Sequence, residues 1–295
     1  MSDWKHLLRA ALCGAYKWSG AMRLHEALAR RAGQRFLSVL LFHRVTDLIP
    51  EDGLTVHPER FRRMCRMLRS FNAVPLDEVF AIVRDGRPMP PRTLAITFDD
   101  CYLDNLAAAR VLADHGLPAT FFIPTAAVGT DHAFPWDAGL PKLPNLAWDQ
   151  VRAIARLGHA IGSHTVTHCD LGAVDAGQAW RELTQSKARL EDEVRQPVRW
   201  LAYPFGGRHN LRPEYRALIH EAGYEGAVSA YGGFVHPGTD PRLLPREAVP
   251  WFKSLWHLEM HLSGCLHWLY DLRGRDHATP TRPGATPHAA CPVAR

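Results

Sequence analysis

No run of 18 or more apolar residues occurs in this chain of 295 residues, so the usual length rule gives no transmembrane helix. A signal peptide fits poorly as well. The best hydrophobic core, Ala10 to Tyr16, is short and closely bounded by Arg9 and Lys17. These absences predict a cytoplasmic protein. The six cysteines, Cys13, Cys65, Cys101, Cys169, Cys265 and Cys291, form no Cys-x-x-Cys pair, which argues against a zinc knuckle and a disulfide scaffold. Free thiols suit a reducing compartment. Walker loops, zinc fingers and basic motifs interleaved with aromatics are missing too. A net charge of +5 suits anionic surfaces without singling out nucleic acid, and no nucleic-acid partner is expected. No internal repeat is visible, and nothing in the chain speaks to oligomeric state.

What remains is an ordinary globular composition, 46% hydrophobic, long enough for one large α/β domain. Strand-like runs alternate with helix-like ones. Phe36 to Phe42, Thr93 to Phe98, Ala119 to Ile123, Ala160 to Ser163, Val198 to Tyr203, Glu225 to Ser229 and Leu243 to Val249 read as strands. Pro58 to Ser70, Leu76 to Val83, Asn105 to His115, Trp148 to Leu157, Ala176 to Val194 and Pro213 to Ala222 read as helices. This order predicts parallel strands joined by helices.

Two polar clusters end apolar runs: Thr97-Phe98-Asp99-Asp100 and Ser163-His164-Thr165-Val166-Thr167-His168. Alone, an Asp-Asp pair reads as a solvated turn, and a His-x-x-x-His pair carries little weight. Together, at the carboxyl ends of two strands, they stand where α/β folds collect ligands. One Asp and two His can hold a divalent cation with positions open for water and substrate, leaving the second Asp to act as a base.

These clusters resemble the first two motifs of the polysaccharide deacetylases, the NodB-homology domain of carbohydrate esterase family 4. Tyr203-Pro204-Phe205-Gly206 resembles the third, and the likeness runs over about residues 37–250. The resemblance implies a distorted (β/α) barrel of about seven parallel strands. It makes Asp99 the base, and Asp100, His164 and His168 the ligands of a divalent metal, with Zn²⁺ expected. It assigns Tyr203, Pro204, Phe205 and Gly206 to the substrate and oxyanion side. Two positions depart from the pattern. Ala202 stands where the family commonly has an Arg that orients the base, and Cys101 where many members have Gly. Cys101 and Cys169, each beside a site residue, read either as thiolate ligands or as buried packing residues.

The C-terminal His that many members use as acid has no counterpart here. Instead Val39-Leu40-Leu41-Phe42-His43-Arg44-Val45 resembles a circularly permuted branch that includes deacetylases of bacterial exopolysaccharide, in which an N-terminal His replaces it. That branch also tends to carry Ala at the position of Ala202. His43 is then the expected acid, against the plain alternative of a packed His at a strand end. The implied activity is hydrolysis of N-acetyl groups on an N-acetylated glycan. A deformylase or deacylase of a lipid-linked sugar, or a weakly catalytic carbohydrate-binding protein, is the alternative.

The segment from Gly129 to Asn145 reads as a loop near the site. Phe134, Trp136 and Trp148 could stack on a sugar or anchor the loop, and Trp136-Asp137 resembles a substrate-side feature of relatives. His257 and His261 lack the Glu that a zincin requires after the first His and read as surface or packing residues. The expected organisation is a basic amphipathic N-terminal helix over 1–35, a barrel over 36–250, a C-terminal helix over 251–274 and a disordered tail over 275–295. The first segment mixes Trp4, Leu7, Leu8, Leu12 and Trp18 with Lys5, Arg9, Lys17, Arg23 and Arg30. It either packs on the barrel or contacts an anionic membrane surface, which would make the protein peripheral at the inner membrane.

Overall fold

The structure, a computed structural model, describes residues 36–265 except Leu211 and Lys253, and residues 11, 14–16, 18–21, 24 and 27. The tail over 275–295 and most of the segment over 1–35 lie outside the described residues.

Among the described residues, ten strands form two sheets: β1 (Ser38–Phe42), β2 (Arg44–Val45), β3 (Thr55–Val56), β4 (Asn72–Ala73), β5 (Thr93–Phe98), β6 (Ala119–Ile123), β7 (Ala160–Ser163), β8 (Trp200–Ala202), β9 (Gly226–Val228) and β10 (Glu247–Ala248). The main sheet runs β10-β1-β5-β6-β7-β8-β9, all parallel, with β4 added beside the start of β5. Leu244 bridges β9 at Val228 while Glu247 pairs with Leu40 of β1. The stretch Leu244 to Ala248 therefore lies between β9 and β1 and curls the sheet toward a barrel. The α-helices within the described stretch 36–265 are α1 (Pro58–Leu68), α2 (Leu76–Arg84), α3 (Asp104–Asp114), α4 (Trp148–Arg156), α5 (Ala176–Val194), α6 (Tyr215–Glu221) and α7 (Leu255–Leu262).

Strand alternation sorts the core into two layers. Leu40, Phe42, Leu94, Ile96, Phe98, Phe121 and Leu201 face outward against helices, where α1 contributes the stripe Phe61, Met64, Cys65 and Leu68. Leu37, Val39, Ala95, Phe122, Trp200, Ala202 and Val228 face inward. The short helix α2 adds Leu76, Val79, Phe80 and Ile82 to the inner layer. Phe80 stacks on Trp200 with ring centroids 3.9 Å apart. The sequence reads this helix as one more crossover, yet it closes the amino end of the barrel. The opposite, carboxyl end is left for the site.

Element types agree with the sequence reading in the main strands and helices, with ends shifted by a few residues. Strands β2, β3 and β4, of two residues each, carry no detectable period. Within the C-terminal region the described helix is Leu255–Leu262, followed by a turn through Gly264 with φ +75°; residues 266–274 lie outside the described residues.

Candidate active site

The inward period of β1 and β5 carries past the strand ends. On β5 the inner residues are Ala95 and then, two by two, Thr97 and Asp99. On β1 they are Leu37 and Val39, then Leu41 and His43. Phe42 pairs with Phe98, and the Asp99 N–H donates to the Phe42 carbonyl at 3.0 Å. His43 and Asp99 are therefore level neighbours at the barrel mouth. His164 follows β7 on the same inner face.

Asp100, His164 and His168 are all buried and bring one ligand atom each within 4.8 Å of one another. The Nε2 atoms of His164 and His168 lie 3.4 and 3.3 Å from Asp100 Oδ1. His164 Nδ1 is 2.8 Å from the Ala202 carbonyl, which can only accept, so Nδ1 carries the proton. In its neutral form, the form that can ligate a metal, the ring then turns the Nε2 lone pair toward the carboxylate. Neither oxygen of Asp100 receives a hydrogen bond of proper geometry. Converging lone pairs on a buried carboxylate repel unless a cation or a shared proton lies between them, and the carbonyl behind His164 is the outer support that metal-ligating imidazoles use. This donor set fits a divalent metal.

Asp99 has a different environment. Arg246, fully buried, donates Nη1 to Asp99 Oδ1 at 2.8 Å and Nη2 to Oδ2 at 2.7 Å. Its Nε donates to the Ser229 carbonyl at 2.6 Å, so the fork is fixed from behind. Burial works to raise the Asp99 pKa, but Arg246, His164 and His43 together bring it below the ordinary carboxylate value. The Arg missing at Ala202 is thus supplied from the far end of the chain, one residue before β10. Sequence reasoning missed it because an Arg inside a strand-like run reads as an edge residue. The one available signal was that charge within Leu243 to Val249.

Backbone strain gathers here. Seven non-glycine residues among those described have positive φ, and five belong to the site motifs: Asp100, Cys101, Thr165, His168 and Phe205. Cys101, at φ +57°, takes a conformation that favours glycine. Its thiol is buried and its pKa is pushed well up by that burial, then by Asp100, so it packs as a neutral thiol. Glu182 on α5, also missed from sequence, shapes the turn between the two histidines. Its Oε2 accepts the Val166 and Thr167 N–H groups at 2.8 and 2.9 Å, and its Oε1 the Thr167 hydroxyl at 2.7 Å.

Burial lowers the His43 pKa below the ordinary imidazole value, while Asp100 and Asp99 work to raise it. The His43 carbonyl accepts from Asn105 Nδ2 at 2.7 Å. In the third motif, Gly206 has φ +57°, and a Cβ there would meet the Ala230 backbone nitrogen at 2.5 Å, so only glycine fits. Pro204 precedes Phe205 on the same turn, and the Phe205 ring packs on His168 at 4.9 Å. Tyr203 is buried, with its hydroxyl on the Arg242 carbonyl at 3.0 Å, so its polar end is engaged in the scaffold. Trp136 lies beside His168 and Phe205, at 5.1 and 5.8 Å between ring centroids. Trp148 lies under the Arg189 guanidinium, and His261 stacks on Phe234 at 4.5 Å, a packing role.

Asp104, at the start of α3, ties down the loop after His43 by accepting the Val45 N–H at 3.1 Å. Burial pushes its pKa up to about 6 from 3.8. The folded protein therefore holds this proton more tightly than the unfolded chain, and stability falls as pH rises through that window. Asp104→Asn, which keeps the acceptor oxygen, should flatten the slope. It should stabilise the protein at pH 8 by about 1–2 kcal/mol, the shift being discounted for partial exposure. Urea denaturation at pH 4 and 8 checks this, and an unchanged slope would rule it out.

The polysaccharide deacetylase family matches residues 86–227. The Bacillus subtilis protein YxkH, provisionally named a polysaccharide deacetylase, is 26% identical over 201 residues, covering 67% of this chain and 65% of that protein. A chitooligosaccharide deacetylase of Rhizobium leguminosarum bv. trifolii is 34% identical over 101 residues, 34% of this chain and 40% of its own. The chain thus spans less than two thirds of these relatives' lengths. Among solved structures, the Streptococcus pyogenes deacetylase PplD in complex with acetate superposes with a TM-score of 0.63 at 20% identity, over 73% of this chain and 93% of that one. IcaB from Ammonifex degensii does so with a TM-score of 0.62 at 21% identity, over 76% and 98%. These structures share the fold. With the motifs gathered at the mouth of that fold, residues 86–227 of the chain match the polysaccharide deacetylase family.

Proposed function

We propose that the protein is a metal-dependent hydrolase that removes N-acetyl groups from a sugar of a polysaccharide or lipid-linked glycan. The observation that carries this is the pairing of two unlike carboxylates. Asp100 faces the Nε2 atoms of two histidines without a hydrogen bond of proper geometry, while its neighbour Asp99 is clamped and kept anionic by Arg246. Asp100, His164 and His168 would hold the metal, with zinc favoured by the two nitrogens and one oxygen and other divalent transition metals able to replace it. When bound, such a cation polarises an amide carbonyl and acidifies water.

The remaining steps belong to the chain. Asp99 accepts the proton of the attacking water. His43, beside Asp99 at the mouth, gives a proton to the departing nitrogen, without which an amine leaves poorly. The strained turn at Phe205 and Gly206 offers its backbone to the developing oxyanion. Trp136 and Phe205 flank the sugar. The family name of the Rhizobium relative supports an N-acetylated chitooligosaccharide as the first substrate to try. Arg246 favours an active enzyme over a carbohydrate-binding protein that has lost turnover, since it supplies the clamp that Ala202 lacks. Contact with an anionic membrane surface is carried only by the basic N-terminal segment.

The test is mass spectrometry of acetylated chitooligosaccharides and bacterial glycans after incubation with zinc-loaded protein, with loss of acetyl expected. Elemental analysis checks the division of roles. His164→Ala and His168→Ala should each lose most of the bound zinc. Full zinc content in both variants would sink the ligand assignment.

A further inference from the structure

Trp136 does more than pack. Its ring stacks on Phe134 at 4.8 Å, and its Nε1 donates to the Tyr102 hydroxyl at 2.9 Å. That hydroxyl lies 2.8 Å from Asp137 Oδ2, and the other oxygen of Asp137 pairs with Arg44. The guanidinium also reaches Asp52 Oδ2 at 2.8 Å. The polarity of this chain is forced. An indole N–H can only donate, so the tyrosine oxygen accepts it and gives its own proton to the carboxylate, which can only accept. Arg44, Tyr102 and Asp137 are all buried. Burying two charges and a phenol is costly, and apolar groups of similar volume would pack at least as well. The series ends on the partly exposed indole at the barrel mouth.

Its members also come from the motifs themselves. Arg44 follows His43, Tyr102 follows Asp100 by two residues, and Asp137 follows Trp136. The three groups that would hold metal, proton donor and sugar are thus indexed to one another through buried hydrogen bonds. Building on the deacetylase reading, we propose that Arg44, Asp137 and Tyr102 are positioning residues that fix the Trp136 indole as a wall of the sugar site. They set affinity for an N-acetylated oligosaccharide and leave metal binding and proton transfer alone.

Tyr102→Phe removes one oxygen and breaks the chain at its centre. On N-acetylated chitooligosaccharide, KM should rise about three- to tenfold, the range for one lost hydrogen bond, with kcat changed by less than about twofold and zinc content unchanged. Trp136→Phe should raise KM by at least as much. The double variant should be no worse than Trp136→Phe alone, because the oxygen acts only through the indole. A readout free of substrate completes the test. The Trp136 indole N–H signal, identified by its absence in Trp136→Phe, should be protected from hydrogen exchange in the wild type and exchange faster in Tyr102→Phe.

Unchanged protection in Tyr102→Phe would overturn the positioning role. So would KM losses that multiply in the double variant, or a loss confined to kcat. A zinc-loaded wild type that deacetylates no N-acetylated sugar would sink the deacetylase reading and the affinity claim with it, while the indole signal still decides whether the chain positions the ring.

Discussion

Asp99→Asn should keep zinc yet lose turnover by roughly 10²–10⁴-fold, the usual contribution of a positioned base. An asparagine fills the same space beside Arg246 but accepts no proton from water. The change also leaves a buried guanidinium facing a neutral amide, and breaking such a pair costs about 3–5 kcal/mol, so folding of the variant is to be checked by thermal denaturation. Arg246→Lys separates orientation from charge. It retains the cation but loses the two-pronged geometry and the Nε bond to the Ser229 carbonyl. Burial then weighs more heavily on Asp99 and its pKa rises. In the wild type that pKa lies below the ordinary carboxylate value, so kcat/KM should hold down to acid pH. In Arg246→Lys the acid limb should move to higher pH. An unmoved limb would mean that Arg246 stabilises the barrel without tuning the base.

Most of this site could be read from sequence because its chemistry sits in short contiguous motifs. Asp99-Asp100 and His164 to His168 each end a strand, and period-two alternation carries them to the inner face. The supporting residues were not legible in the same way. Arg246 lies 147 residues from Asp99 along the chain, and only closure of the barrel between β9 and β1 brings them together. Glu182 sits on a long helix, and nothing in its spacing distinguishes it from a solvated face. Tyr102 and Asp137 meet because the loop over 129–145 folds back over the carboxyl end of β5. Helix α2 has an ordinary amphipathic pattern, and its placement under the barrel depends on Phe80 meeting Trp200 and Gly226. The departure at Cys101 was visible, but its cost was not: the residue holds a left-handed conformation without glycine's freedom. Local pattern thus reports the groups proposed to do chemistry, whereas the groups that orient them are set by long-range closure.

His43→Ala should leave zinc content intact and lower kcat on the amide by roughly 10²–10⁴-fold. The placement behind this is a matter of register. Phe42 pairs with Phe98, so the residue after each stands at the same height, and the inward period of β1 gives His43 the same face as Asp99. Burial holds the His43 pKa below the ordinary imidazole value. The imidazolium is therefore complete only on the acid side of that value, and is lost as pH rises through it. The wild-type profile should fall on its alkaline side below about pH 6.5, and His43→Ala should lack that limb. An activated ester, whose leaving group departs without a proton, should lose far less than the amide. Equal losses on both substrates would assign His43 to binding or to the scaffold, and unchanged turnover of the amide would remove it from the reaction.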